Sequence, residues 1–284
     1  MKVIRYARTL KNSISRLRLR PIGFVPTMGA LHEGHLSLVS MAIDECPIAV
    51  VSIYVNPTQF NDPEDLKNYP RTPVDDLNLL RGVMRRDDMV FLPSDKEIYP
   101  GEDKRRFSFG NLDNVMEAAR RPGHFNGVGQ VVSRLFDIVT PDIAYFGRKD
   151  FQQLAVIKEL VRQTGSNVKI IGAPTVREND GLAMSSRNRL LEPAFRKNAP
   201  VIFRTLTCAA EMIHDHDIPE IKKYVKESIE KVNGFIVEYF EIVDDNELVP
   251  VKHRAEMEKT KSYFGCVAVK AGEIRLIDNI EFTV

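Results

Sequence analysis

The chain has 284 residues, 43% of them hydrophobic and 28% charged, which is enough to bury a full core and, on length, to form about two domains. Lys and Arg total 40 against 39 Asp and Glu, so no net field gathers nucleic acid or an anionic membrane, and a small charged ligand suits the chain better than a polymer. No apolar run nears the ~18 residues of a membrane span, and Cys46, Cys208 and Cys266 form no CxxC pair, which argues against a zinc cluster or a secreted disulfide scaffold and for a reducing, cytoplasmic compartment.

Residues 1–20 hold the basic side chains Lys2, Arg5, Arg8, Lys11, Arg16, Arg18 and Arg20 and no acid, as an organellar presequence does. Val3, Tyr6, Leu10, Ile14 and Leu17 recur at helical spacing and predict instead a first helix with a basic outer face. Short β-rich apolar runs follow at residues 22–27, 48–55, 89–92, 143–146 and 168–171, with helical signals at 36–43, 73–86, 127–139 and 151–164. That alternation predicts an α/β fold with a Rossmann-like, doubly wound parallel sheet over residues 1–175, and ligands at the carboxyl ends of its strands. From residue 176 the pattern changes to a polar loop, helices at 194–214 and 219–232, and strands at 236–243, 266–270 and 274–277. Residues 176–284 therefore read as a smaller C-terminal α+β domain.

The most informative string is Met28-Gly29-Ala30-Leu31-His32-Glu33-Gly34-His35, directly after the first predicted sheet strand and opening a helix. A Gly-bearing turn there offers backbone N–H groups and a positive helix end to a phosphate chain. Two imidazoles three residues apart can both donate to phosphate oxygens, or be a metal pair, or be two surface histidines; the scattered cysteines supply no further zinc ligands. No GxxxxGK[ST] occurs, so an ordinary P-loop is excluded and phosphates must be handled by imidazole. A His-x-Gly-His element with a later Ser- and Arg-bearing loop, here Met184-Ser185-Ser186-Arg187-Asn188, is shared with class I aminoacyl-tRNA synthetases and their nucleotidyltransferase relatives.

Further strings narrow the resemblance: Asn56-Pro-Thr-Gln59-Phe60, Tyr69-Pro-Arg-Thr-Pro-Val-Asp75-Asp76, Pro122-Gly-His124-Phe-Asn-Gly127, Phe146-Gly147-Arg148-Lys149-Asp150-Phe-Gln-Gln153, and the loop from Asp180 to Arg187. Agreeing in order and spacing from Ile22 to Leu191, they closely resemble the pantothenate synthetase (pantoate:β-alanine ligase) family. The resemblance implies that ATP and pantoate give pantoyl-adenylate and pyrophosphate, and that β-alanine then displaces AMP to give pantothenate. It implies that Met28 to His35 line the ATP site, with His35 catalytic and His32 on phosphate; that Gly147, Arg148, Lys149 and Asp150 hold ribose and phosphates; that Val176 meets adenine; and that Met184, Ser185, Ser186 and Arg187 close over the triphosphate. Lys149 and Arg187 join the histidines as catalytic candidates, and Gln59 and Gln153 would bind pantoate. Neutral amides suit a substrate rich in hydroxyls.

Asp75 and Asp76 either lie near a phosphate-bound Mg²⁺ or enrich a helix N-terminus. The family is usually dimeric, which implies a homodimer. Arg148 stands where many relatives have Glu, Asn126 where many have Arg, and Leu190 where an aromatic is frequent. The competing readings are another adenylyl-transferring enzyme of the superfamily and a catalytically silent nucleotide-binding protein. The Gln59 and Gln153 strings argue against the first, and the joint presence of His32, His35, Lys149 and Arg187 against the second.

Overall fold

The structure is a computed structural model describing residues 1–61 and 63–283. In chain order its first half contains β1 (Lys2–Ile4), α1 (Ala7–Ser15), β2 (Ile22–Thr27), α2 (Glu33–Glu45), β3 (Ile48–Ile53), α3 (Pro63–Asn68), α4 (Pro73–Val83), β4 (Met89–Phe91) and α5 (Asp95–Ile98). There follow α6 (Met116–Arg120), α7 (His124–Val139), β5 (Ile143–Gly147), α8 (Phe151–Thr164) and β6 (Lys169–Ala173). The second half holds α9 (Pro193–Asn198), α10 (Val201–Met212), α11 (Ile218–Glu230), β7 (Phe235–Asp244), β8 (Tyr263–Ala271) and β9 (Ile274–Phe282).

Six strands pair in the order β1-β4-β3-β2-β5-β6, each neighbour parallel. The order reverses between β2 and β5, so the crevice at their carboxyl ends is where ligands gather in such sheets. Helices cover both faces, and every residue of β3 is buried, as expected for a strand walled in on two sides. The second sheet, β7-β8-β9, is antiparallel and carries α10 and α11. Its strands also reach the first core, where Val243, Phe264 and Cys266 pack. The expected α/β architecture with a smaller α+β part is what the chain adopts.

Two expectations need correcting. Residues 2–4 form a strand, because Lys2–Ile4 can pair with Met89–Phe91 at the open edge of β4; Val3 and Tyr6 are left 41% and 65% exposed, and only Leu10 and Ile14 of the expected stripe are buried in α1. The helix at 194–214 is two helices, interrupted at Ala199 and Pro200, where proline has no N–H to continue the ladder.

Two polar clusters tie the sheets together beside the crevice. Arg275 on β9 grips the buried carboxylate of Glu117 on α6 with two 2.7 Å hydrogen bonds, and Tyr239 Oη donates to the same carboxylate at 2.7 Å. Arg177 binds Asp278 at 2.6 and 2.9 Å, while Asn279 Nδ2 donates to the carbonyls of Arg148 and Lys149 at 2.9 Å each. Arg275→Ala strands Glu117 as a buried charge and should cost about 3–5 kcal/mol. Denaturant unfolding that shows a loss below about 1 kcal/mol would mean the pair is not a structural tie.

Candidate active site

The turn after β2 is strained. Gly29 and Ala30 have φ of 80° and 48°, and the left-handed region costs a non-glycine residue such as Ala30 about 1–2 kcal/mol. Asp76 holds it there. Its buried carboxylate accepts the N–H of Ala30 at 3.0 Å and of Leu31 at 2.8 Å, and the Thr72 hydroxyl at 3.1 Å. The Gly29 N–H goes to Thr27 Oγ1 at 3.2 Å. The backbone donors expected to cradle phosphate are therefore largely occupied within the protein. Asp75 is exposed, and both acids occupy the first turn of α4. Among the described residues every side-chain hydrogen bond of Asp76 goes to the turn or to its own helix start, as the helix-start reading expects.

His32 is the N-cap of α2, which begins three residues earlier than its apolar periodicity predicts. Its Nδ1 accepts the Gly34 N–H at 3.1 Å, and the His32 N–H donates to His35 Nδ1 at 3.3 Å. With both Nδ1 atoms accepting, the neutral rings carry their hydrogens on Nε2. The ring centroids are 4.1 Å apart. Burial, reinforced by Lys149 and Arg189, pushes the His32 pKa down to about 4; burial, then His32 and Lys149, pushes His35 down to about 3. Both are neutral donors at physiological pH.

The histidines line a cavity of about 220 Å³ with Met28, Gly34, Gln59, Gly147, Lys149, Asp150, Gln153, Val176 and Met184–Arg187. Gly29, Ala30, Leu31, Glu33 and Arg148, expected to touch nucleotide, do not line it. Ala30 and Leu31 are buried under the turn, Glu33 is exposed, and Arg148 turns away so that its Nε donates to the Gly172 carbonyl at 3.1 Å. Asn126 accepts the Phe107 N–H at 3.0 Å, and Leu190 is 44% exposed at the cleft edge.

Gln59 sits on a short 3-10 turn, Pro57–Gln59, held from three sides. Asn56 Nδ2 donates to Gln59 Oε1 at 3.4 Å and to the Gly127 carbonyl at 3.1 Å. His124 Nδ1 is 2.6 Å from the Gln59 carbonyl. Gly127 leaves no room for a side chain, since a β-carbon there would stand 2.4 Å from the Thr58 carbonyl oxygen. Next to Gln153, the neighbouring Gln152 is buried and structural, bonded to Leu112, Val115 and the Glu117 N–H. The Gln153 side chain makes no hydrogen bond among the described residues and lines the cavity.

The loop after Val176 is a tight hairpin in which the Met184 N–H donates to the Val176 carbonyl at 3.0 Å. Arg187 reaches Asp65 on α3 at 3.0 Å and lies 5.4 Å from the Tyr69 ring centroid. Arg189, which the sequence did not flag, donates to the Leu31 carbonyl at 3.3 Å and joins this loop to the strained turn. Beyond Lys149, Asp150 and Gln153 the cavity opens into a second of about 520 Å³ between the two sheets, lined also by Arg121, His124 and Arg275.

A family model for pantoate-beta-alanine ligase matches residues 2–281. The chain belongs to the pantoate-beta-alanine ligase family. It is 50% identical to the pantothenate synthetase of Bacteroides thetaiotaomicron over 99% of each chain. A crystal structure of pantothenate synthetase from Thermus thermophilus superposes with a TM-score of 0.91 at 40% identity, covering 100% of both chains. The pantoate-beta-alanine ligase of Francisella tularensis, solved with β-γ ATP and β-alanine, superposes with a TM-score of 0.79 at 34% identity over 99% of this chain and 97% of that one. The ligase family thus supplies the chemistry to which the cleft geometry must answer.

Asp76→Asn removes a charged acceptor and turns an amide NH₂ toward two N–H groups; it should destabilise this ligase by about 2–4 kcal/mol and weaken ATP binding with it. Calorimetric unfolding and nucleotide titration of the variant check both, and an unchanged nucleotide affinity would separate the turn from the site. The neutral histidines also set a pH dependence. His32, His35 and His124, the last held down to about 4 by burial and Arg121, lie below the 6.5 of an unfolded histidine. Their contribution is full above pH 6.5 and is lost as the pH falls toward 4, because the unfolded chain takes up protons first. Urea midpoints should fall between pH 7 and pH 5, with a shallower slope in His32→Gln and His35→Gln; equal slopes would mean the rings are charged in the fold.

Proposed function

We propose that this chain makes pantothenate from pantoate and β-alanine through a pantoyl-adenylate formed in the His32–His35 cleft. The observation that carries the site assignment is the convergence, at the β2–β5 reversal, of two neutral imidazoles, Lys149, and the amides Gln59 and Gln153. Residues 1–175 would hold nucleotide and pantoate, and residues 176–284 would cover them.

In the first step a pantoate carboxylate oxygen bonds to the α-phosphorus of ATP as the bond to pyrophosphate breaks. Charge accumulates on phosphate oxygens, and the Nε2 hydrogens of His32 and His35 are fixed donors for it, needing no reorganisation at the moment of reaction. Lys149 and Arg187 add cations, with Ser185 and Ser186 as hydroxyl donors, while Val176 presents backbone to adenine. Gln59 and Gln153 orient the pantoate hydroxyls and carboxylate. In the second step the amine nitrogen of β-alanine bonds to the acyl carbon, AMP leaves with the former bond electrons, and the amine loses a proton. Converting a carboxylate to a mixed anhydride is what allows an amine to form the amide at all.

Mg²⁺ fits this site as an ion carried by the triphosphate. Among the described residues no three His, Cys, Asp or Glu side chains converge as a metal cage would need, and Asp150 is the carboxylate beside Lys149 that would complete a mainly phosphate and water shell. Bound there, it would neutralise charge on the departing pyrophosphate. Among the described residues no helix is long and apolar enough to cross a membrane, which accords with a cytoplasmic enzyme, and we propose a homodimer on the family's habit.

The test is pyrophosphate release from ATP and pantoate, with pantothenate appearing only when β-alanine is added. His35→Ala should slow single-turnover adenylation about 100- to 1000-fold with the fold intact. Adenylation within a few-fold of the parent enzyme would remove His35 from the reaction, and release supported equally by unrelated acids would overturn the substrate assignment.

A further inference from the structure

Lys149 and Arg187 are the lysine and arginine that line the nucleotide cavity, and they are held in different ways. Arg187 is fixed through its side chain, by Asp65 at 3.0 Å. Among the described residues the Lys149 side chain makes no hydrogen bond or ion pair, yet its charge is near enough to both imidazoles to lower their pKa values. A lysine is a point charge on a flexible four-carbon stem. With no partner along that stem, its reach is set by where the backbone puts its Cα and which way the Cα–Cβ bond points.

That backbone is held from the second sheet. Lys149 lies in the turn from β5 into α8, where the Arg148 N–H donates to the Ala173 carbonyl at 2.8 Å and the Asp150 N–H closes back on the Gly147 carbonyl at 3.3 Å. Asn279 of β9 gives one Nδ2 hydrogen to the Arg148 carbonyl and the other to the Lys149 carbonyl, at 2.9 Å each. Those two carbonyls belong to the two planar peptide units on either side of the Lys149 Cα. Pinning both units fixes the dihedrals of Lys149 and with them the direction of its side chain.

The clamp is itself rigid. Asn279 is 7% exposed, its N–H donates to Asp278 Oδ1 at 2.8 Å, and Asp278 is gripped by Arg177 at 2.6 and 2.9 Å. Arg275 lies four residues before Asn279, on the same face of β9, and binds a side chain, Glu117. The Asn279 side chain donates to backbone alone, at the one turn that presents Lys149.

We propose that Asn279 is a positioning residue for adenylation, holding both peptide units that flank Lys149 so that the lysine Nζ is aimed at the phosphates of the nucleotide. It acts through Lys149 and does not line the nucleotide cavity. This rests on the ligase reading above and gives the C-terminal sheet a part in the first half-reaction. A misplacement of about 1 Å in a group that must meet a reacting centre costs on the order of a hundredfold in rate, which is what such a clamp prevents.

The experiment joins exchange kinetics to a mutant cycle. ATP–pyrophosphate exchange driven by pantoate measures adenylation, and its failure in the parent enzyme would sink the ligase reading itself, independently of Asn279. Asn279→Ala, which removes both donors, should lower kcat/KM for ATP in exchange about 10- to 100-fold and move the KM for pantoate less than about threefold. Asn279→Asp keeps the shape but turns carboxylate oxygens toward the two carbonyls, so it should fall at least as far. Should the alanine variant not fold, Asn279→Ser carries the same readings with a smaller loss of volume. The cycle uses Lys149→Ala, with ATP affinity read by equilibrium dialysis so that no variant has to turn over. Asn279→Ala should weaken ATP about tenfold when Lys149 is present and less than about twofold when it is absent, while adenosine, which has no phosphate, is held alike by all four proteins. Equal losses of ATP with and without Lys149 would make Asn279 a structural strut, and lost adenosine binding would place its effect at the base. Either result overturns the proposal, as does exchange by Asn279→Asp within a few-fold of the parent enzyme.

Discussion

The site depends on one buried carboxylate. Asp76 closes two hydrogen bonds across 45 and 46 residues of sequence and so holds the turn after β2 in a left-handed conformation that Ala30 would not adopt by itself. Everything downstream is set by where that turn ends. It puts His32 at the N-cap of α2, brings His35 into register with the His32 N–H, and gives Arg189 a carbonyl to reach from the facing loop. Because Asp76 takes the amides, a phosphate chain bound as proposed would meet side chains in this cleft instead of a backbone cradle.

That division explains the electrostatics. A P-loop presents many weak backbone donors and one lysine; here two imidazoles are kept neutral by burial and by Lys149, with each Nδ1 already used as an acceptor. Neutral donors stabilise growing negative charge without drawing the ground-state substrate into a tight ion pair, so their effect is weighted toward the transition state. The formal positive charge is carried instead by Lys149 and by Arg187, the latter resting on Asp65.

Sequence patterns carried the architecture and the strings that line the cleft because both are local. Buried parallel strands read as apolar runs, and His-x-Gly-His, Gln59 and Gln153 lie on loops at strand ends. What escaped is non-local. Nothing near Asp76 announces that its oxygens will meet Ala30 and Leu31, and its place in a helix's first turn points to solvent or metal equally well. Arg148 lies in the same string as Lys149 yet turns outward, since alternate residues after a strand face opposite ways. Asn279 and Arg189 gain meaning only from the distant carbonyls they reach. The strand Lys2–Ile4 went unseen because three residues with a basic neighbour show no period, and the open edge of β4 decides their state.

Gly34 gives the histidine motif a different kind of meaning. A β-carbon at this position would stand 2.9 Å from the His32 ring and 3.7 Å from Met184 in the covering loop. In mutational terms the two middle letters of His-Glu-Gly-His are unlike: Glu33 is exposed and open to drift, whereas position 34 is closed to every other amino acid unless His32 moves. The tetrapeptide is thus inherited as two chemical residues and one steric one, and the spacing between the imidazoles is guarded by an absence of atoms.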